Sequence, residues 1–312
     1  MIEIVSTRHN EMIDPLLHVW GWEIPVYLFL GGWVAGMMII AGYFLFKGRA
    51  KAEWCSCLVL PTISLIFLSL GMLALFLDLE HKLYVWRLYT TFEIASPMSW
   101  GAWILLLVYP GLLANMIIRI PPFLAKPFPR LKSFSAMVNE HPVAIKTIGV
   151  INMLLGGMLG IYTGILLSSL GARPFWNSSI LGFLFLVSGL STAAAFVHMV
   201  AKDRYERELL AKADNAFLTI ELFVLGLFLI GLLTATEVHQ RAAHLVLGGE
   251  YTAFFWVIVV FMGIVIPLIY QSLAVNHKVP HLMLMPILVI WGGLMLRFVI
   301  VVAGQHSHWA QF

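Results

Sequence analysis

Seven polar residues stand out because of where the chain puts them: Tyr27, Asp78, His81, Tyr162, Arg173, Asn177 and Glu221. Each lies in, or at the edge of, a long apolar run. A polar side chain in hydrocarbon costs a few kcal/mol unless it is paired or meets water, so each one invites a functional question. Asp78 ends one run and is followed by Glu80, His81, Lys82 and then Arg87. Tyr27 opens another, just after Glu23 and near His18. Tyr162 lies roughly 16 Å along a helix axis from Arg173, at about 1.5 Å per residue, with Trp176 and Asn177 just beyond. Arg297 and Gln305 lie toward the outer end of the last run. Hydrogen-bonding and ionisable groups therefore gather at one end of whatever these runs build. An interfacial belt of Trp, Tyr and Arg accounts well for Trp20, Trp22, Trp86 and Trp309. It suits Asp78 and Tyr162 less well, because anchoring needs neither a carboxylate beside bases nor a tyrosine below headgroup depth.

A quinone head group gives such a cluster a chemical reason. It is a flat apolar ring with two carbonyl oxygens, and its redox cycle moves two electrons and two protons. A site for it needs a slot open to lipid for the tail, a Tyr or His donor at one oxygen, and a carboxylate or His for the proton. Tyr27, Asp78 and Tyr162 supply those groups. Glu221 stands apart, about one turn into its run from the opposite end. It is read either as held by a Ser, Thr or carbonyl partner on another helix or as part of a proton path toward the cluster. A secondary transporter, or a proton-translocating subunit with no redox role of its own, is the alternative. A transporter would place ionisable groups at the membrane midplane, which this sequence leaves mostly bare.

Other cofactor chemistry is disfavoured. Haem between facing helices needs paired His residues, yet His198 is the one His well inside a run and His277 sits at a terminus. There is no C-x-x-C-H and no P-loop. Cys55 and Cys57, in W-C-S-C, are too few for an iron–sulfur cluster and read as two small interfacial residues with no disulfide framework.

The elements that position these residues follow from composition. Of 312 residues, 61% are hydrophobic and 11% charged, against roughly 45–50% and about 25% in soluble domains. So few charges cannot surround a core with an aqueous surface, so the solvent is lipid, and a net charge of +3 gives no case for nucleic acid. A span needs about 20 apolar residues. The sequence predicts an all-α membrane protein with eight spans at 24–46, 58–77, 98–118, 147–172, 174–201, 216–236, 251–277 and 279–303, in a single polytopic domain 1–312. The fourth and fifth are parted only by a tight G-A-R-P turn at Arg173. The N-terminal segment, with Glu3, Glu11 and Asp14 against Arg8, lacks the basic start of a signal peptide, so the first run is expected to stay in the mature protein.

Direction follows from Lys and Arg. Of 19, the loops after odd-numbered spans carry 13: Lys47, Arg49, Lys51, Arg119, Lys126, Arg130, Lys132, Lys146, Lys202, Arg204, Arg207, Lys212 and Lys278. The other side has Arg8, Lys82, Arg87, Arg173 and Arg241. Both termini are thus expected on the outer, periplasmic side of a bacterial or archaeal cytoplasmic membrane, together with the polar cluster. The loop 119–146, with Pro121, Pro122, Pro127 and Pro129, reads as a linker.

Four stretches then resemble the NrfD/PsrC family of polysulfide-reductase-type membrane subunits. They are W-G-W-E-I-P-V-Y-L-F-L-G-G-W-V-A-G from Trp20, S-P-M-S-W-G-A-W from Ser96, Y-T-G-I-L-L-S-S-L-G-A-R-P-F-W-N-S from Tyr162, and L-R-F-V-I-V-V-A-G-Q from Leu296. The resemblance runs from the first span to the last. It implies a cofactor-free anchor of two four-helix bundles that binds quinone (menaquinone or ubiquinone). It also implies docking of an outer-facing, ferredoxin-like iron–sulfur subunit, which serves a molybdopterin or multihaem catalytic subunit. The family tyrosine falls on Tyr162, and the polar position of the first span falls on Tyr27, where a related member carries His. Where the family reads D-L-G-R-P, this chain reads D-L-E-H-K from Asp78, leaving His81, Lys82 or Arg87 as partners for the carboxylate. Arg173 and Asn177 match the R-P-F-W-N block, where a turn role is open to them.

Overall fold

The computed structural model describes residues 20–49, 55–118, 120, 129–276 and 282–309. Arg8, His18, Lys51, Arg119, Lys126, His277 and Lys278, among the residues singled out above, lie outside that set. Among the described residues, eight helices are long and apolar enough to cross a membrane. They are α1 (Glu23–Phe46), α2 (Leu60–Asp78), α4 (Pro97–Ile118), α6 (Pro142–Ser168), α7 (Leu181–Val200), α8 (Arg204–Thr234), α10 (Phe254–Val275) and α11 (Leu284–Gln305). Between them lie three shorter helices: α3 (Arg87–Thr90), α5 (Pro129–Glu140) and α9 (Glu237–Leu247). Backbone polar groups in hydrocarbon must be satisfied within the segment, and uninterrupted helices do this.

Helices α1, α2, α4 and α6 pack as one bundle, and α7, α8, α10 and α11 as a second. Helix α1 belongs to both. It packs on α2 and α6 on one side and on α7 and α11 on the other, and its spanning window is 78% buried against 33% for α2. Small residues allow this. A Cβ added to Gly42 would sit 2.4 Å from the Gly149 carbonyl oxygen, and one added to Gly36 would sit 2.4 Å from that of Gly189. Lipid gives little hydrophobic drive to helix association, so close backbone approach and dispersion provide it. The first twelve residues of α10, Phe254–Val265, wind as a π-helix and cross α11 where Gly263 meets Gly292.

Several expectations change. The sixth span begins not at 216 but as part of a helix starting at Arg204, so Arg204, Arg207 and Lys212 ride on α8. In place of a simple linker, 129–140 is helical, and Ser135 Oγ and Asn139 Nδ2 hold the Ile118 carbonyl at 3.1 and 2.7 Å, capping the end of α4. The fourth and fifth spans are joined by twelve residues between Ser168 and Leu181, in which Phe175 and Trp176 are buried, rather than by a tight turn. Cys55 and Cys57 are bonded to each other in a disulfide and are buried. Ser56 between them donates from its backbone N and its hydroxyl to the buried Glu206 carboxylate at 2.9 and 2.6 Å. Arg49 pairs with Asp203 and approaches Glu206 at 3.5 Å. This cluster ties the first loop to the start of α8, which signals from a single helix's periodicity do not disclose.

Candidate quinone pocket

At the end of the first bundle where α1 begins and α2 ends, a cavity of about 170 Å³ opens among α1, α2, α3, α4 and α6. Tyr27 comes from the first turns of α1, Asp78 from the last residue of α2, and Tyr162 from the last two turns of α6. All three line the cavity. Three distant stretches of sequence therefore put their polar groups into one space. Tyr27 and Tyr162 are buried, while Asp78 is half-buried. Glu23 lies near enough to Asp78 for the two carboxyl groups to interact. The remaining wall is apolar, from residues such as Ile24, Leu75, Leu105 and Leu167.

One backbone feature fixes the tyrosine of α6. A Cβ on Gly101 would overlap the Tyr162 ring, 1.9 Å from Cζ and 2.0 Å from the hydroxyl. The phenol lies directly on the backbone of α4, a position only glycine leaves open. Sequence reasoning had no means of pairing these two residues. It also missed Trp20 and Tyr89, which line the same cavity. Trp20 stacks on Trp176 with ring centres 5.3 Å apart, and its backbone exchanges two hydrogen bonds with the Gln305 side chain, at 3.1 and 3.0 Å. Tyr89 sits on α3, outside the spans. Burial, and secondarily the nearby Tyr109, holds its phenol above the ordinary tyrosine range, so it stays a hydrogen-bond donor at any neutral pH.

The other residues singled out lie elsewhere. His81 is exposed and lies beside the Tyr84 ring, and Arg87 stacks over Tyr84 and Trp86. Among the described residues, no hydrogen bond or ion pair joins Asp78 to His81, Lys82 or Arg87. Asn177 is exposed. Arg173 is fully buried and donates to the Ser307 carbonyl at 2.9 Å, with His308 Nδ1 at the same distance. Next to it, Trp176 Nε1 donates to the Ile300 carbonyl at 2.8 Å. The R-P-F-W segment clamps the C-terminal end of α11 and does not line the cavity.

The midplane, expected to be mostly bare, is not. Glu221 lies seventeen residues into α8 rather than one turn from its end, because the helix starts earlier than the apolar run does. It is buried and reaches the Ser188 hydroxyl and the charge of Arg297. Arg297 donates to Ser188 Oγ at 2.5 Å and to the carbonyls of Gly293 and Phe185 at 2.9 and 3.0 Å, with the Phe185 ring below it. Its Nη2 lies 3.2 Å from where a side chain on Gly32 would start. That is five residues along α1 from Tyr27, or about 7.5 Å of rise. The charged group of the second bundle thus touches the helix that carries the first tyrosine of the cavity.

An eight-span helical protein with a cavity lined by two phenols and a carboxylate belongs to the class of polytopic α-helical membrane proteins. Comparison with known families then places the chain. It matches the family model described as "Polysulphide reductase, NrfD" over residues 7–307, and it belongs to that family. Among curated relatives, it is 30% identical to Protein NrfD of Escherichia coli, over 92% of this chain and 95% of that one. It is also 30% identical to the C subunit of polysulfide reductase from Wolinella succinogenes, over 92% and 94%. A Protein NrfD homolog of Haemophilus influenzae is 28% identical over the same shares.

Proposed function

We propose that this chain is the quinone-interacting membrane subunit of a respiratory oxidoreductase complex in the cytoplasmic membrane. In this reading it passes electrons between the menaquinone or ubiquinone pool and an outer-facing iron–sulfur subunit, which serves a molybdopterin or multihaem partner. Its family, and a relative named as one subunit of polysulfide reductase, support membership of such a complex. The observation that carries the quinone reading is the meeting of Tyr27, Asp78 and Tyr162 in one apolar cavity. At about 170 Å³ it is smaller than the ~300–1,000 Å³ of pockets that enclose a whole ligand. That size suits a head group whose tail remains in lipid. Of the neighbouring helix pairs in that bundle, α2 and α4 pack most sparsely, and the exposed Met98 and half-buried Leu79 lie there at the rim. That gap is the tail's exit.

A bound quinone supplies the two-electron, two-proton chemistry. Tyr162 and Tyr27 donate hydrogen bonds to its oxygens, and the Asp78 carboxylate takes up or returns a proton. The Lys and Arg distribution puts the cavity at the outer face, with both termini there. Glu221 and Arg297, bridged by Ser188, form the inner part of a proton path that reaches α1 near Tyr27. His81, Arg173 and Asn177 shape the surroundings of the cavity.

The test is quinol-linked electron transfer in membranes that contain the assembled complex. Asp78→Asn and Tyr162→Phe should each slow it on the order of 10²-fold, as loss of a general acid or base does. Wild-type rates in both variants overturn the assignment. Glu221→Gln should leave quinone binding intact and reduce proton uptake from the inner side, and unchanged uptake removes Glu221 from the path.

A further inference from the structure

At the end of the second bundle opposite the quinone cavity, two small cavities meet at His198. The outer one, about 140 Å³, lies against His198, Met199, Arg207, Leu282, Met283 and Pro286. The inner one shares His198, Leu282 and Pro286, and adds Tyr270, Gln271 and Met285. It has about 10 Å³ of room, close to the ~10–15 Å³ that one water needs. The Oε1 atom of Gln271 is buried there with no hydrogen-bond partner. A buried amide oxygen without a partner is costly, so a bound water is its natural complement.

What lies beyond Gln271 gives that water a use. The Gln271 side chain lies close enough to the Asp214 carboxylate to interact with it, and that buried carboxylate accepts from Ser191 Oγ at 3.0 Å. Asp214 and Glu221 lie seven residues apart on α8, two turns along one face, and interact electrostatically. A nearly continuous set of polar groups thus runs from the surface at His198 to Glu221, Ser188 and Arg297 in the middle of the membrane.

We propose that the paired cavities at His198 are a hydrated proton intake. In it, the His198 imidazole accepts a proton from the aqueous side and gives it to a water held by Gln271, and that water delivers it to Asp214. The proton's source is bulk water and its destination the Asp214 carboxylate, with no other bond made or broken. The proposal rests on the proton-path reading of Glu221. It adds an entrance to that path, built around an imidazole, a side chain able both to accept and to donate a proton.

Two measurements on the assembled complex in its membrane test it. X-ray radiolysis creates hydroxyl radicals from trapped water, which label adjacent side chains. Met285, buried at 7% exposure, should be labelled in the wild type, and several-fold less so in Gln271→Leu. An unlabelled Met285 in the wild type overturns the proposal without recourse to any variant. In the second measurement, His198→Ala should slow quinol turnover several-fold, and added imidazole should restore it. Gln271→Leu should slow turnover without imidazole rescue. A His198→Ala complex of normal rate, or one slowed but not rescued, overturns the role of His198. Asp78→Asn separates the two readings. It should cut quinol turnover and keep the Met285 label, so a fault in the quinone assignment appears in turnover alone.

Discussion

Tyr162 owes its position to an absence on the neighbouring helix. With the Gly101 Cα against its ring, even one methyl group forces the phenol out of the cavity. Gly101→Ala should therefore raise the KM for quinol and lower kcat by about tenfold or more, since misplacement of a catalytic group by roughly 1 Å can cost 10²-fold. If both constants stay at wild-type values, the phenol hydroxyl is not the oxygen donor. Tyr89 yields a second expectation. Its folded pKa lies above the unfolded value near 10, so the neutral phenol favours the folded state. That contribution is complete below pH ~10 and is lost as pH rises through the folded value. Ultraviolet titration should show fewer phenolates appearing near pH 10 in the folded protein than in the unfolded chain, and Tyr89→Phe should remove one of the late-titrating groups. At this scale the sequence was partly legible. Tyr27, Asp78 and Tyr162 stood out because polar atoms in apolar runs are conspicuous. Gly101, Trp20 and Tyr89 were hidden because glycine, interfacial tryptophan and loop tyrosine have ordinary explanations wherever they occur.

At the level of helices, apolar run length located every span, but not where helices begin. The start of α8 is the instructive case. A helix continues through charged residues, so Lys212 and Asp214 belong to it although they end the hydrophobic signal. The same misreading put Glu221 near a helix end when it lies at mid-depth against Arg297. Removing the guanidinium leaves the Phe185 and Gly293 carbonyls and the Ser188 hydroxyl short of a donor, and Glu221 short of a countercharge. Arg297→Met should destabilise the protein by about 3–5 kcal/mol, read as earlier thermal unfolding in detergent. Arg297→Met combined with Glu221→Leu should recover part of that loss, because it removes the uncompensated charge as well. Gly42→Leu makes a contrasting case. The side chain would strike the Gly149 backbone, so α1 and α6 must separate, and folded yield should fall sharply while Gly157→Leu, in open space, is tolerated.

For the whole molecule, two bundles share one helix. The shared α1 carries Tyr27 at the cavity and Gly32 against Arg297, so the candidate pocket and the charged midplane meet on a single rigid rod. The distribution of basic residues is what motivates the proposed outward-facing end of that rod. Cysteines introduced as Gln240→Cys and Lys202→Cys should differ: an impermeant maleimide labels the first in intact cells and the second only after the membrane is opened. The reverse pattern would move the cavity to the inner face. Sequence disclosed the span number and this bias directly, since both are one-dimensional quantities. It could not disclose that bundle two contains its own polar column, because Asp214, Ser191, Gln271 and Ser188 come from three helices and look unremarkable one at a time.

The reciprocal bonds between Trp20 and Gln305 have a bearing on how the protein is made. Trp20 forms part of the cavity wall, and what braces it, Gln305 and Trp176 held to Ile300, includes residues of α11, the eighth spanning helix among the described residues. A ribosome-bound chain with seven helices inserted has its carboxylate and both phenols, yet lacks the brace for their lid. The candidate chamber is thus completed only when α11 packs against it, and a chain without that helix lacks the brace.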